Sequence, residues 1–257
     1  MFTPMPGPDS GSTIAITTRI TNCSRRKYQC HSYPLFLRNN LITIQCSNRL
    51  IADRSRQQLV ACSINAQSVR NKTAVIFDYI CDHTSAIVTL TEDWLTDQGS
   101  SIRAELKLLP NGYKILDHKR SDRRGGGTGM IYHESLDVKK IDAGVSAQYS
   151  YEFSEWIVKS SGYNIRIAII YRPPYSERHP VTTNVFLTEF PDYLESLLLC
   201  KERLLITGDL NIHVDDRSNP DTRKFLDLLH CFGLQQHVKQ PTHRDGHTLD
   251  LSITRKS

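Results

Sequence analysis

The sequence predicts an α/β protein of four layers, with two mixed β-sheets packed face to face inside and helices outside. Two observations predict it. Across residues 59–257, strand-like and helix-like segments alternate at both ends and enclose a run of strands in the middle. The strand-like runs are short, apolar and rich in β-branched residues, and polar or Gly-rich turns separate them. With 257 residues, 39% hydrophobic and 23% charged, the chain can bury one substantial core.

The segments follow in order. Residues 1–58 carry Pro and Ser early, scattered Arg and no sustained period; they read as a basic, largely irregular leader outside the sandwich, in which LFLRNNLITIQC could form a short strand. LVACSIN is the first strand of the body. VRNKTAVIFDYICDH has apolar residues at 69, 75, 76, 79 and 80, which suits a helix packed on a sheet. SAIVTLTE is a buried strand run. GYKILDHKR, GMIYHESL, YEFSEWIVKS and NIRIAIIYRPP read as strands, the last stopped by Pro173 and Pro174. TNVFLTEFPDYLESLLLC is a helix whose start Pro191 is expected to mark. RLLITGDLNIHV is a strand, TRKFLDLLHCFGL an amphipathic helix with Gly233 as its stop, and HTLDLSITR a final strand.

Charge is uneven. The leader holds eight of the 32 Lys/Arg and two of the 27 Asp/Glu, so the formal charge of +5 describes the leader more than the body. The seven cysteines are odd in number, show no C-x-x-C pair and sit partly inside apolar patterns such as VACSI. That is the usage of a reduced, intracellular protein without a disulfide framework or zinc site. No secretory signal opens the chain, and no apolar run approaches the ~20 residues of a membrane span. There is no P-loop, dinucleotide fingerprint, G-x-S-x-G or H-E-x-x-H, so no small organic cofactor is expected.

Polar residues collect where apolar strands end. Asn65 follows LVACSI, Glu92 follows SAIVTLT, Tyr171 follows NIRIAII, Asp209 and Asn211 close RLLIT, and Asp250 interrupts HTLDLSI. Side chains alternate along a strand, so Asp209, Asn211 and His213 are expected on one face and Leu210, Ile212 and Val214 on the other. Ligand sites in α/β folds gather beyond strand ends. The residue types converge on one chemistry. Glu92 and Asn65 offer hard oxygens of the kind Mg²⁺ takes in small number, with Mn²⁺ a substitute. Asp209 could accept a proton from an attacking water, and Asn211 and Tyr171 could donate to phosphate oxygens. The set suits metal-assisted hydrolysis of a phosphate ester.

SINAQSVRNK, VTLTEDWL, GGGTGMIY, IIYRPP, LLITGDLNIH and GHTLDLSITR, in that order, resemble the endonuclease/exonuclease/phosphatase superfamily, whose fold is like that of DNase I. Within it they look like the endonuclease domain of LINE-type (non-LTR) retrotransposons, over about Leu59 to Arg255. The resemblance implies that Asn65 lies near the metal, Glu92 is the principal metal ligand and Tyr171 contacts phosphate. It implies that Asp209 handles the water, Asn211 steadies the transition state and Asp250 orients a catalytic His. The implied partner is DNA, cut to leave a 3′-hydroxyl that primes reverse transcription, which would place the protein in the nucleus. Two departures stand out. Asp93 adds a second carboxylate beside Glu92 and is expected to point away. The family's last Ser-Asp-His triplet lies some tens of residues beyond the strand of Asp250, whereas Ser257 is seven residues beyond it. Asp82-His83 and Asp117-His118 are out of order and cannot stand in for it. On this reading the domain 59–257 lacks its final motif and the last strand or two of one sheet, and turnover is weak. The alternatives are a non-catalytic remnant or nucleic-acid-binding module, and a phosphatase of the same superfamily, which GHTLDLSITR and YRPP disfavour.

Overall fold

The computed structural model describes the strands Ile14–Arg19 and Arg38–Cys46 and residues 58–70, 72–95, 109–118, 125–144, 149–160, 163–177 and 179–256. Two six-stranded mixed sheets form the centre. Sheet 1 comprises β1 (Ile14–Arg19), β2 (Arg38–Cys46), β3 (Gln58–Asn65), β4 (Ile87–Thr91), β5 (Tyr113–His118) and β6 (Thr128–His133), in spatial order β1-β2-β3-β4-β6-β5. Sheet 2 comprises β7 (Asp137–Gly144), β8 (Glu152–Ser160), β9 (Tyr163–Tyr171), β10 (Arg203–Asp209), β11 (Leu234–Gln236) and β12 (Asp250–Arg255), in order β11-β12-β10-β9-β8-β7.

Each sheet contains one parallel pair joined by a helix. In sheet 1, α1 (Thr73–His83) connects β3 to β4; in sheet 2, α2 (Thr183–Leu198) connects β9 to β10. A parallel pair needs such a crossover. A third helix, α3 (Pro220–Cys231), follows β10 and begins at Asn219, whose side chain accepts from the Asp221 N–H at 2.8 Å. Pro220 takes the first position, where no intrahelical N–H is required, and Gly233 has the left-handed φ of +63° just past the end.

Three apolar layers explain the stacking. Ile76 and Ile80 of α1 pack on Cys62, Ile64, Val88 and Leu90, the outer face of sheet 1. Phe186, Phe190 and Leu194 of α2, with Phe225 and Leu229 of α3, pack on Ala168, Ile170, Leu204 and Ile206, the outer face of sheet 2. Between the sheets lie Leu59, Ala61, Ile87, Met130, Trp156, Ile167, Ile169 and Leu205. Alternation puts Ser63, Asn65, Thr89, Thr91, Thr207, Asp209, Asp250 and Ser252 on that same inner face, and all are buried. The inner space is therefore apolar at one end and polar at the other.

Several expectations change. α2 begins at Thr183 and runs through Pro191, because Phe186, Phe190 and Leu194 supply a continuous apolar stripe on both sides of it. The leader joins sheet 1: β2, inside the LFLRNNLITIQC read as a possible strand, pairs antiparallel with β3, and β1, which was not expected, pairs with β2. The remaining residues of 1–57 lie outside the described ones. β3 and β12, which carry Asn65 and Asp250, are flanked by strands on both sides. β7 and β11 were not expected from the sequence. Among the described residues, no helix is long and apolar enough to cross a membrane.

Candidate active site

The polar end of the inter-sheet space opens where the parallel strands terminate. In sheet 2, Asp250, Asp209, Tyr171 and Glu152 stand opposite one another on β12, β10, β9 and β8, forming one row across four strands. In sheet 1, Asn65 stands opposite Thr91, with Glu92 next in the chain. One amide joins the two rows. Asn65 Nδ2 donates to Glu92 Oε1 at 3.0 Å and to Asp209 Oδ2 at 2.5 Å, although Asn65 and Asp209 are 144 residues apart. Only an NH₂ group can serve two carboxylates at once, which fixes the orientation of the amide. Its carbonyl faces the other way and accepts from the Gln67 N–H at 3.2 Å. Asn65 was expected as an oxygen ligand; it presents its nitrogen instead.

Asp209 is held at both oxygens, since Oδ1 accepts from the Asn211 N–H at 3.1 Å. The expectation that Asn211 shares a face with Asp209 through strand alternation needs correction. β10 ends at Asp209, and Asn211 turns with φ +50°. Leu210 and Ile212 still enter the apolar layer beneath α2 and α3. Asn211 Nδ2 donates to the Arg172 carbonyl at 2.7 Å. Arg172, in the stretch YRPP, is buried and was assigned no role from the sequence. Its guanidinium donates to the carbonyls of Leu210 (3.1 Å) and Asn211 (3.0 Å) and to Thr183 Oγ1 (2.7 Å). It thereby fixes the turn that follows Asp209. Burial lowers its pKa, while the nearby carboxylates of Asp209 and Asp221 act in the opposite direction.

The turn after β4 is set by its own constraints. Glu92 and Trp94 have φ of +52° and +56°, and their N–H groups donate to the carbonyls of Gly127 (2.9 Å) and Gly126 (3.1 Å). Asp93 is buried, and its Oδ1 accepts from the Leu95 N–H at 2.9 Å. Glu152 reaches across from sheet 2 to accept from the Gly127 N–H at 2.7 Å, and Thr128 Oγ1 donates to Ser154 Oγ at 2.9 Å. The alternation of Glu152, Ser154 and Trp156 in YEFSEW could have pointed to this inward face. Asp250 is 2% exposed, and its N–H and that of Leu249 both donate to Thr242 Oγ1, at 3.0 and 2.9 Å. Gln67, Ser68, Glu92, Trp94 and Asn211 are five of the six non-glycine residues with positive φ among those described, and all lie in these turns. Such conformations persist where the surroundings over-determine them, and they concentrate at functional sites.

The donor chemistry suits a hard cation. Glu92 is the partly exposed carboxylate of the patch, whereas Asp209 and Asp250 are buried. Among the described residues, no group of three or more His, Cys, Asp or Glu could enclose an ion. Mg²⁺ is commonly bound through one or two carboxylates with water and phosphate completing the shell, and this patch fits that pattern.

No protein-family model and no curated protein sequence matches this chain. Solved structures do resemble it. The AP endonuclease LMAP from Leishmania major superposes with a TM-score of 0.55 at 12% identity, covering 92% of this chain and 84% of that one. An AP endonuclease from Archaeoglobus fulgidus gives 0.54 at 13% identity, covering 76% and 86%. TDP2 from D. rerio, humanized by 14 mutations, gives 0.53 at 13% identity, covering 77% and 84%. The architecture is thus the DNase I-like sandwich of two mixed sheets flanked by helices.

Proposed function

We propose that this protein is a metal-dependent phosphodiesterase acting on DNA, an endonuclease of retrotransposon type that leaves a 3′-hydroxyl. The observation that carries the reading is the Asn65 amide tying Glu92 of one sheet to Asp209 of the other. The fold is shared with AP endonucleases, and the six ordered sequence motifs favour the retrotransposon branch.

Glu92 would hold Mg²⁺, with Mn²⁺ a substitute, and Asn65 would keep that carboxylate in place. When bound, the metal supplies Lewis-acid polarisation of the phosphate and screens its charge. Asp209, fixed at both oxygens, would orient the attacking water and accept its proton. Tyr171, beside Asp209 in register, would donate to a phosphate oxygen. Asn211 would act at the developing phosphorane, its position set by Arg172. Asp250 completes the row beside Asp209 and would orient whichever group protonates or steadies the leaving oxygen.

The test is plasmid nicking by the purified chain with Mg²⁺ and with EDTA, followed by polymerase extension from the nick. Extension requires a free 3′-hydroxyl. Mg²⁺-dependent nicks that prime, lost in Glu92→Ala and Asp209→Ala, support the reading. Nicking that survives EDTA or either substitution refutes it.

A further inference from the structure

A second polar cluster lies beyond the ends of β10 and β12. Leu210 N–H donates to Leu249 O at 3.1 Å and Val214 N–H to Thr248 O at 3.3 Å, so the chain continues to run side by side past Asp209 and Asp250. Residues 213–215 thus meet residues 247–248 at the mouth of the site. There Asp215 Oδ1 accepts from the Thr248 N–H at 2.7 Å, and Oδ2 lies 3.0 Å from His247 Nδ1. The His247 ring lies 4.1 Å from the His213 ring, inclined by 33°. An Asp that accepts a hydrogen bond from Nδ1–H fixes both tautomer and ring direction and leaves Nε2 as the working atom. The side chains of His247 and Asp215 are 38% and 33% exposed, within reach of a macromolecule.

The neighbouring charges are otherwise engaged. On the turn before His247, Asp245 lies 3.2 Å from His243 Nδ1 and 3.7 Å from Arg244 Nε. On the loop after His213, Asp216 accepts from the N–H and Oγ of Ser218 at 3.0 and 2.6 Å, and Arg217 follows it. Burial pushes the Asp215 carboxyl up, but the Thr248 N–H and His247 outweigh that, so it stays ionised. The turn projects outward, since a Cβ on Gly246 would meet nothing within 4 Å. Its base is clamped to the catalytic strand by Thr242.

We infer that His247, fixed by Asp215 and packed against His213, contacts a backbone phosphate of duplex DNA beside the scissile bond. Asp215 accepts at Nδ1 and serves as counter-charge, and the imidazolium donates from Nε2 to the phosphate. The inference rests on the reading of the site as one that acts on DNA.

Binding of a fluorescent duplex, followed by anisotropy in EDTA, tests it without cleavage. The chain, His247→Ala and His247→Lys are compared in a salt series at pH 6. Each neutralised phosphate adds about 0.9 to the slope of log K against log salt. His247→Ala should therefore lower the slope by about one and weaken binding at low salt, whereas His247→Lys should keep the slope of the chain. A purely structural role would change affinity without changing the slope. An unaltered slope in His247→Ala overturns this inference while leaving the nuclease reading intact. A chain that binds no duplex overturns both.

Discussion

Gly208 precedes Asp209 in β10, between β9 and β12, with φ +138°. A Cβ built there would lie 1.9 Å from the carbonyl oxygen of Ile170, 2.8 Å from its carbonyl carbon and 2.9 Å from its nitrogen. All three are backbone atoms of a central strand and cannot rotate away. An ordinary close C···O contact is about 3.3 Å, so β10 and β9 must separate locally by more than about 1 Å or their ladder must break. Overpacking of a well-packed core costs about 1–3 kcal/mol, and a non-glycine residue at this φ adds about 1–3 kcal/mol. Gly208→Ala should therefore destabilise the fold by about 2–6 kcal/mol, a large part of the 5–15 kcal/mol of a typical domain. Gly246→Ala is the control: its φ is +88°, but its Cβ meets nothing within 4 Å, so only the conformational cost of about 1 kcal/mol applies. Urea unfolding of the two variants, compared through midpoint at constant m, isolates the contact with Ile170. Nicking should fall with Gly208→Ala even in the folded fraction, because Asp209 moves relative to Asn65. A midpoint for Gly208→Ala that corresponds to within about 1 kcal/mol of Gly246→Ala would refute the reasoning.

Arg172→Met strips two hydrogen bonds from the turn after Asp209 and one from Thr183 at the start of α2; it should cost about 2–4 kcal/mol by thermal or urea unfolding, and Arg172→Lys should not restore nicking, because a point charge cannot replace the fork. Asn65→Asp replaces the bridging donor with a third carboxylate. The acid limb of the pH–rate profile should move to higher pH, since like charges raise carboxyl pKa values, and the nicking rate should fall by about 10² or more. Burial pushes the Cys62 thiol up from 9.0 to about 12. The unfolded chain loses this proton first, so the folded state holds more protons between those values and stability falls as pH rises through the window. Urea unfolding at pH 8 and pH 10.5 should show about 1–2 kcal/mol more loss in the native chain than in Cys62→Ala.

That the candidate residues lie together was legible because each interrupts an apolar run, and the strand ends that carry them are the places the topology brings together. Asp209 and Asn211 were read as neighbours by alternation; they are neighbours through a turn at φ +50°, which a period-two pattern cannot encode. Asn65 illustrates a second limit. An amide offers oxygen or nitrogen equally, and only the two carboxylates converging on it decide which end faces the site. Arg172 was visible in YRPP, but its work is done on carbonyls nearly forty residues away. The strand β7 escaped notice because DVKKIDAG carries the lysines typical of a sheet edge. The inner-face series Leu59, Ala61, Ser63, Asn65 and Leu205, Thr207, Asp209 grade from apolar to polar along single strands. That gradient is written in the sequence and points to the open end of the sandwich.

Among the described strands, sheet 1 is complete at His133 and sheet 2 begins at Asp137, so the chain can be cut between the sheets at the exposed Glu134–Ser135 peptide without severing a strand. Glu92 then belongs to one polypeptide and Asp209 to the other. Each fragment would inherit an apolar face that only its counterpart can cover, Trp156, Ile167 and Leu205 on one side and Ala61, Ile87 and Met130 on the other. The two residues proposed to hold the metal and to accept the proton would thus meet only upon reassociation. Divalent cation added to a mixture of the two fragments should tighten their complementation, because an ion bound at the seam favours the docked pair by mass action. On the proposed function, catalytic competence would be a property of the seam, and it would report on the docking of two half-proteins that happen to share one backbone.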